Sequence, residues 1–492
     1  MSKGFKLKQW NLKDLQPDSY IPKKDRKKIL LLCDDIRLNS GVATMAREIV
    51  ANSAHHYNWF QLGAAVNHPD KGKIIDVSKE INERLKINDA EVKIMPNNGY
   101  GEPQLLRNLI RKEKPDALFL FTDPRYWIWL FEIEREIRSN IPIFFLNIWD
   151  DFPAPMYNKN YYNSVDLLMA ISKQTKLVNE LVLGDDAKNK IIKYVPHGID
   201  SKAFFPIKGM DKEFEAYKKD TFRGKEVDFT VFFNSRNINR KHPHDLVLAY
   251  RLFCDMLDKK EAKKCAMIMH TAAVDKNGTD LHAIKEALCD PKYVNVFFSQ
   301  AKLTSQQLNS LYNLADVTVL PSSNEGWGLS LTESMMAGTM IIANTTGGMQ
   351  DQMRFENEDG SWWSPSKEVP SNHRGAIKKH GEWAVPIWPN NISLQGSPVT
   401  PYIFDDRCDP EDIAKAIYKV YKLGKKERDR RGQKGRDWAV SEEANFTAKG
   451  MANTVIKCCD EAFEKFKPRH KVDLIKVEDL KPKYVEHKLI GY

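Results

Sequence analysis

Short β-rich apolar runs alternate with longer amphipathic stretches along most of this 492-residue chain, and few folds accept that alternation. In the first half the runs are KKILLLC (27–33), YNWFQLG (57–63), EVKIMP (91–96), DALFLF (116–121), IPIFFLN (141–147) and VDLLMAI (165–171). In the second they are DFTVFFNS (228–235), CAMIMHT (265–271), VNVFFS (294–299), DVTVLPS (316–322) and MIIANT (340–345). This is the rhythm of βαβ units around parallel sheets, so the expected class is α/β. The length exceeds what one hydrophobic core usually serves, which points to two domains. The charged, weakly periodic stretch ending at Val227 is the natural boundary, with a linker at 206–227 between a domain at 27–205 and one at 228–438. Residues 356–406 break the rhythm: rich in Pro, Trp, Gly and Asn and too long for an ordinary connection, they read as a lid or an insertion.

Hydrophobic residues at 42% and charged residues at 29% describe a globular chain rather than a disordered one. The longest apolar stretches fall well short of the roughly 20 residues a membrane-spanning helix needs. The N-terminus is basic but lacks the apolar core of a secretory signal. Seven scattered cysteines, without Cys-x-x-Cys spacing, suit reduced thiols and a cytoplasmic location, a host's cytoplasm if the chain is viral. Adjacent Cys458 and Cys459 read as packing. The formal charge of +9 is concentrated at the ends, in an N-terminal extension (1–26) and a C-terminal tail (467–492), leaving the body nearly neutral. Such tails can contact DNA, anionic membrane headgroups or acidic glycans, or simply remain solvated.

The chemistry concentrates in PSSNEGWGLSLTESMMAG (321–338). A strand ends at its start, NEGWG is a turn, and LSLTESMMAG is a helix stopped by Gly338. Gly326 and Gly328 are expected to let the backbone approach a ligand, and the N–H groups opening the helix can bind a phosphate. A carboxylate touching that phosphate would be repelled, so Glu325 and Glu333 should bind hydroxyls on either side of it. A nucleotide-sugar carries hydroxyls on both sides of a diphosphate. No His, Asp or Cys cluster shows metal-ligand spacing, and HPH (242–244) reads as a solvated loop, so no metal site is expected.

Residues 311–353 resemble the donor-site signature of retaining GT-B glycosyltransferases of the GT4-like group, the glycosyl transferases group 1. The two glutamates have that family's spacing, and Gly347–Gly348 match its Gly-Gly turn. Three further matches follow the family's order: LLLCDDIRLNSGVATMAREI (30–49), with Ser40 and Gly41 at the glycine turn; KYVPHGID (193–200); and FNSRNINRKHPHDLVLAY (233–250). The resemblance implies a GT-B fold, two Rossmann-like domains facing across a cleft, with a C-terminal helix (439–466) crossing back to the first. It implies a retaining hexosyl- or pentosyltransferase that uses a nucleotide-diphosphate-sugar such as a UDP-sugar and requires no cofactor. In this reading Glu325 contacts the transferred sugar and Glu333 the ribose. Arg236 and Lys241 hold the diphosphate, with the backbone around Gly326, Trp327, Gly328 and Leu329, and Ser40 and Gly41 add donor contacts. Two cations and a helix N-terminus would stabilise charge developing on the leaving diphosphate.

One position departs from the family. Its His after the fifth strand is replaced here by Trp149 and Asp150, so Asp150 or Asp151 is set against the sugar or acceptor, with a turn or helix cap as the alternative. Asp123 and Arg125 would face the same cleft, while the aromatic residues after them read as core. The acceptor is expected to be a glycan or glycoconjugate, with hydroxymethylated pyrimidines in DNA as the runner-up and a lipid carrier at a membrane surface also open. A non-catalytic nucleotide-sugar-binding scaffold is the reading from another class. A glycosidase would set its two carboxylates across a glycosidic bond from separate elements.

Overall fold

The computed structural model describes residues 19–65, 67–207 and 212–470; most of the two basic ends, 1–18 and 471–492, lies outside the described residues. All eleven apolar runs are strands. The first sheet contains β1 (Lys28–Asp34), β2 (Asn58–Ala65), β3 (Ile75–Asp76), β4 (Val92–Asn98), β5 (Ala117–Thr122), β6 (Ile143–Asn147), β7 (Leu167–Ala170) and β8 (Ile191–Tyr194). Their order is β3-β4-β2-β1-β5-β6-β7-β8. The strand β1 pairs in parallel with β2 and β5, β2 pairs in parallel with β4, and the two-residue β3 lies antiparallel against β4. Ile29–Cys33 are buried in an unbroken run, as a strand covered on both faces of a parallel sheet requires.

The second sheet contains β9 (Phe229–Asn234), β10 (Cys265–His270), β11 (Val296–Ser299), β12 (Val317–Leu320), β13 (Met340–Asn344) and β14 (Ala384–Ile387), in the order β11-β10-β9-β12-β13-β14. Every pairing in it is parallel. The chain runs outward from β9 to β11, then returns to lay β12 on the other side of β9. Neighbouring strands thus lead their connections in opposite directions at β9 and β12, which opens a crevice at their carboxyl ends. In the first sheet β1 and β5 stand in the same relation.

Three features differ from the sequence reading. The stretch expected as a linker contains a helix, Lys212–Thr221. Residues 356–406 are not a single insertion: Ala384–Ile387 forms β14, completing the second sheet beside β13, and its Pro386 is tolerated at the sheet edge. Residues 391–407 form an antiparallel hairpin, β15 (Asn391–Ser397) with β16 (Thr400–Arg407). The compact units also divide elsewhere than at the 206–227 linker. Among the described residues, one comprises 19–146, 163–168 and 452–470; the other comprises 147–162 and 169–451. The last long helix, Ala448–Lys465, passes from the second set of residues to the first. All seven cysteines are buried. Among the described residues, no helix is long and apolar enough to cross a membrane.

Candidate functional site

The second unit brings Lys241 and Glu325 together at the β9/β12 crevice. After β9 the chain makes a short turn, Asn239–Lys241, and His242 adopts a left-handed conformation before helix Pro243–Asp255. After β12, Ser322 to Glu325 runs alongside that turn. Ser323 N–H donates to the Arg240 carbonyl at 2.9 Å, and Arg240 Nη1 donates to the Asn324 carbonyl at 2.6 Å. Lys241 Nζ donates to Glu325 Oε1, which also accepts from Ser322 Oγ at 2.9 Å. Arg240 Nη1 stands 3.8 Å from the other oxygen of Glu325. Burial alone would raise the Glu325 pKa, but Lys241 and Arg240 outweigh it and hold the carboxylate ionised. Burial pulls the Lys241 ammonium down, against the attraction of Glu325.

Glycines lock the turn that follows. A Cβ on Gly347 would lie 2.1 Å from the Glu325 carbonyl oxygen, and one on Gly348 would lie 2.2 Å from that of Gly326. Gly348 N–H also donates to the Glu325 carbonyl at 3.0 Å. Gly326 was expected to admit a ligand. Its open side is instead filled by Ile148 O at 2.9 Å and Ile171 Cδ1 at 2.8 Å, so its missing side chain serves the protein's own packing. Gly328, at φ 88°, caps helix Leu329–Met336 in a conformation costly for other residues. Trp327 is buried: its indole N–H donates to Thr332 Oγ1 at 2.9 Å and its ring meets Phe446 edge-on, so it packs the turn.

Glu333 lies in the second turn of that helix. It accepts from Tyr312 Oη at 2.6 Å and Asn234 Nδ2 at 3.3 Å. Burial pushes its pKa up to about 7, against the pull of those two hydrogen bonds.

The residues replacing the family's His also pack here. Trp149 is buried, with its indole N–H donating to the Asp151 carbonyl at 3.0 Å. Asp151 accepts from Asn324 Nδ2, and Asn324 also donates to the Phe404 carbonyl of β16 at 2.7 Å. Burial raises the Asp150 pKa, and burial together with repulsion from Asp150 raises Asp151 further. Arg240 and Lys241 pull Asp150 the other way, so this carboxylate shares their field with Glu325. Further anchors hold the hairpin, among them Phe404 N–H donating to the Phe152 carbonyl at 2.7 Å and Thr346 Oγ1 donating to Asp406 Oδ2 at 2.6 Å.

Other candidates are engaged elsewhere. Arg236 does not reach Glu325; it pairs with Asp275 at 3.0 Å and its side chain is 60% exposed. In the first unit, Ser40 caps helix Gly41–Ser53, accepting from Ala43 N–H at 3.0 Å, and donates to Asp34 Oδ2 at 2.5 Å. Asp123 caps the Pro124–Trp127 turn and holds Arg125, whose Nε donates to it at 2.8 Å. Of the aromatic residues that follow, Trp127 is fully buried while Tyr126 is half exposed. His242 corrects the reading of HPH as a solvated loop, because it is only 7% exposed. Arg240, Asn324 and Tyr312 escaped the sequence reading. The Arg-Lys pair at 240–241 was a visible signal, whereas Tyr312 becomes a partner of Glu333 only through the fold.

Residues 215–369 match the family model described as glycosyl transferases group 1. A D-inositol 3-phosphate glycosyltransferase of Corynebacterium jeikeium is 28% identical over 193 residues, 38% of this chain and 43% of that protein. An uncharacterised glycosyltransferase of Methanocaldococcus jannaschii is 30% identical over 116 residues, 24% of this chain and 27% of that one. The chain thus spans less than half the length of these relatives. Among solved structures, Anabaena HepE, crystallised with UDP and glucose, superposes with a TM-score of 0.60 at 13% identity, covering 89% of this chain and 100% of that one. A trehalose-6-phosphate protein of Escherichia coli bound to UDP-2-fluoro glucose superposes with a TM-score of 0.58 at 14% identity, covering 90% and 100%. With the matching residues 215–369 containing the β9/β12 crevice, the chain is similar over that region to the glycosyl transferases group 1 and has a GT-B fold.

Proposed function

We propose that this chain is a glycosyltransferase that moves a sugar, with retention, from a nucleotide-diphosphate-sugar to a hydroxyl of a saccharide or glycoconjugate. The observation that carries the reading is the buried Lys241–Glu325 pair, with Arg240 beside it, at the switch point of a parallel sheet. An ammonium has three N–H bonds; one given to Glu325 leaves two for a diphosphate. Lys241 and Arg240 stabilise the charge that collects on the diphosphate as the sugar–phosphate bond breaks. Arg236, half free in solvent beside Asp275, swings in as a second clamp on the same oxygens. Glu325, kept ionised by its cations, accepts from hydroxyls of the transferred sugar, and Glu333 accepts from the ribose.

In the retaining step, the acceptor oxygen bonds to the anomeric carbon on the face that the diphosphate leaves. The electron pair of the broken bond goes to the diphosphate, and a phosphate oxygen of the donor takes the acceptor proton. Asp150, beside the same cations, orients a sugar or acceptor hydroxyl. The names of the relatives place inositol phosphates on the acceptor panel beside simple saccharides.

A screen of UDP-, GDP- and ADP-sugars, read as free nucleoside diphosphate with and without each acceptor, tests the proposal. It expects acceptor-dependent release that falls at least about a hundredfold in Glu325→Ala and Lys241→Ala. A Glu325→Ala chain that transfers as well as the wild type would leave a binding scaffold as the better reading.

A further inference from the structure

We propose that His242, His244 and Asp245 form a binding site for one divalent cation of the zinc type, apart from the sugar-transfer groups. The three side chains open helix Pro243–Asp255, and one ligand atom from each lies within 4.8 Å of the others. His242 Nδ1 is 3.2 Å from Asp245 Oδ2, and His244 Nε2 is 3.7 Å from Asp245 Oδ1. Ligands bonded to zinc at about 2.0–2.1 Å in a tetrahedron stand roughly 3.4 Å apart, so each histidine is near that spacing from one oxygen of Asp245, and small side-chain rotations would bring all three onto one ion.

The second observation comes from hydrogen bonding. His242 is more than nine-tenths buried, yet neither of its ring nitrogens has a hydrogen-bond partner, and the same holds for His244 Nδ1. His242 Nδ1 stands at ion-pair distance, 3.2 Å, from Asp245 Oδ2. Leaving a buried imidazole nitrogen unpaired is costly, and a metal bond removes that cost. Two imidazoles and one carboxylate are a donor set that suits zinc, with a fourth position left for water.

Arg407 opposes the ion. This residue of β16 donates to Asp245 Oδ2 at 2.9 Å, and its side chain is 44% exposed, so it can leave. The site is therefore an exchange: Asp245 holds either the guanidinium, which ties the hairpin to this helix, or the cation. The ligands begin one residue after Lys241, so occupancy would fasten the turn that carries it.

Cobalt titration of the full, metal-stripped and reduced chain tests the proposal, because visible cobalt bands distinguish nitrogen and oxygen ligands from thiolates. The expected result is one cobalt per chain without thiolate charge-transfer absorption, displaced by zinc. Binding should weaken roughly tenfold or more in His244→Ala and tighten in Arg407→Ala. His244 is only half-buried, and thermal unfolding of its metal-free variant verifies that the fold survives. Absence of binding in the wild type, unchanged affinity in His244→Ala, thiolate absorption, or no tightening in Arg407→Ala overturns the proposal. No arm depends on sugar transfer.

Discussion

Two arginines four residues apart have different surroundings, and the difference is measurable. Arg236→Ala removes a largely exposed ion pair with Asp275, a change worth less than about 1 kcal/mol. The variant should melt close to the wild type while losing affinity for donor, as isothermal titration with nucleoside diphosphate would reveal. Glu325→Ala is the converse case. It strands Lys241 as a buried cation, and the expected loss of roughly 3–5 kcal/mol should appear in denaturant unfolding as well as in turnover. Sequence made Lys241 and both glutamates legible because each lies in a local strand-turn-helix unit, Lys241 in the one after β9 and the glutamates in the one after β12. It did not reveal that Arg240, rather than Arg236, stands beside Glu325, because side-chain direction after β9 is set by Asp275 and Asn324 from other elements.

Among the elements, the turn from Glu325 to Gly328 is held by backbone meeting backbone. Gly348→Ala would place a methyl group 2.2 Å from a carbonyl oxygen that cannot rotate away, and a loss of more than about 2 kcal/mol is expected by thermal or denaturant unfolding. Gly360→Ala, at a φ of +82° that Gly348 does not share but with open space around it, should cost only about 1 kcal/mol and serves as the clash-free control. The β15–β16 hairpin escaped the sequence reading for a physical reason. β15 is largely exposed and β16 mostly half-buried, neither alternates cleanly between apolar and polar residues, and their anchors to Asn324, Phe152 and Thr346 are long-range. Its neighbour β14 was hidden by a proline and by the polar sequence around it.

Across the whole molecule, buried carboxylates should shape stability against pH. Glu333 is raised from 4.5 to about 7, and Asp351 and Asp406 from 3.8 to about 6, in each case chiefly by burial. A carboxyl whose folded pKa is raised binds more protons folded than unfolded, so its contribution is full below the unfolded pKa and lost as pH rises through the folded one. For Glu333 that window runs from pH 4.5 to about 7 and is worth at most about 3 kcal/mol. Urea unfolding across it should show Glu333→Gln losing less stability with rising pH than the wild type. The sequence by itself determined the α/β class, eleven strands and the motif matching glycosyl transferases group 1, because those signals are local: periodicity, turn chemistry and spacing within one βαβ unit. Only the tertiary structure decided which cation meets Glu325, that Gly326 packs against Ile148, and that His242 is buried with unpaired nitrogens. Each of those outcomes depends on which distant segment fills the space beside a residue, and burial and pairing are set there rather than by neighbours along the chain.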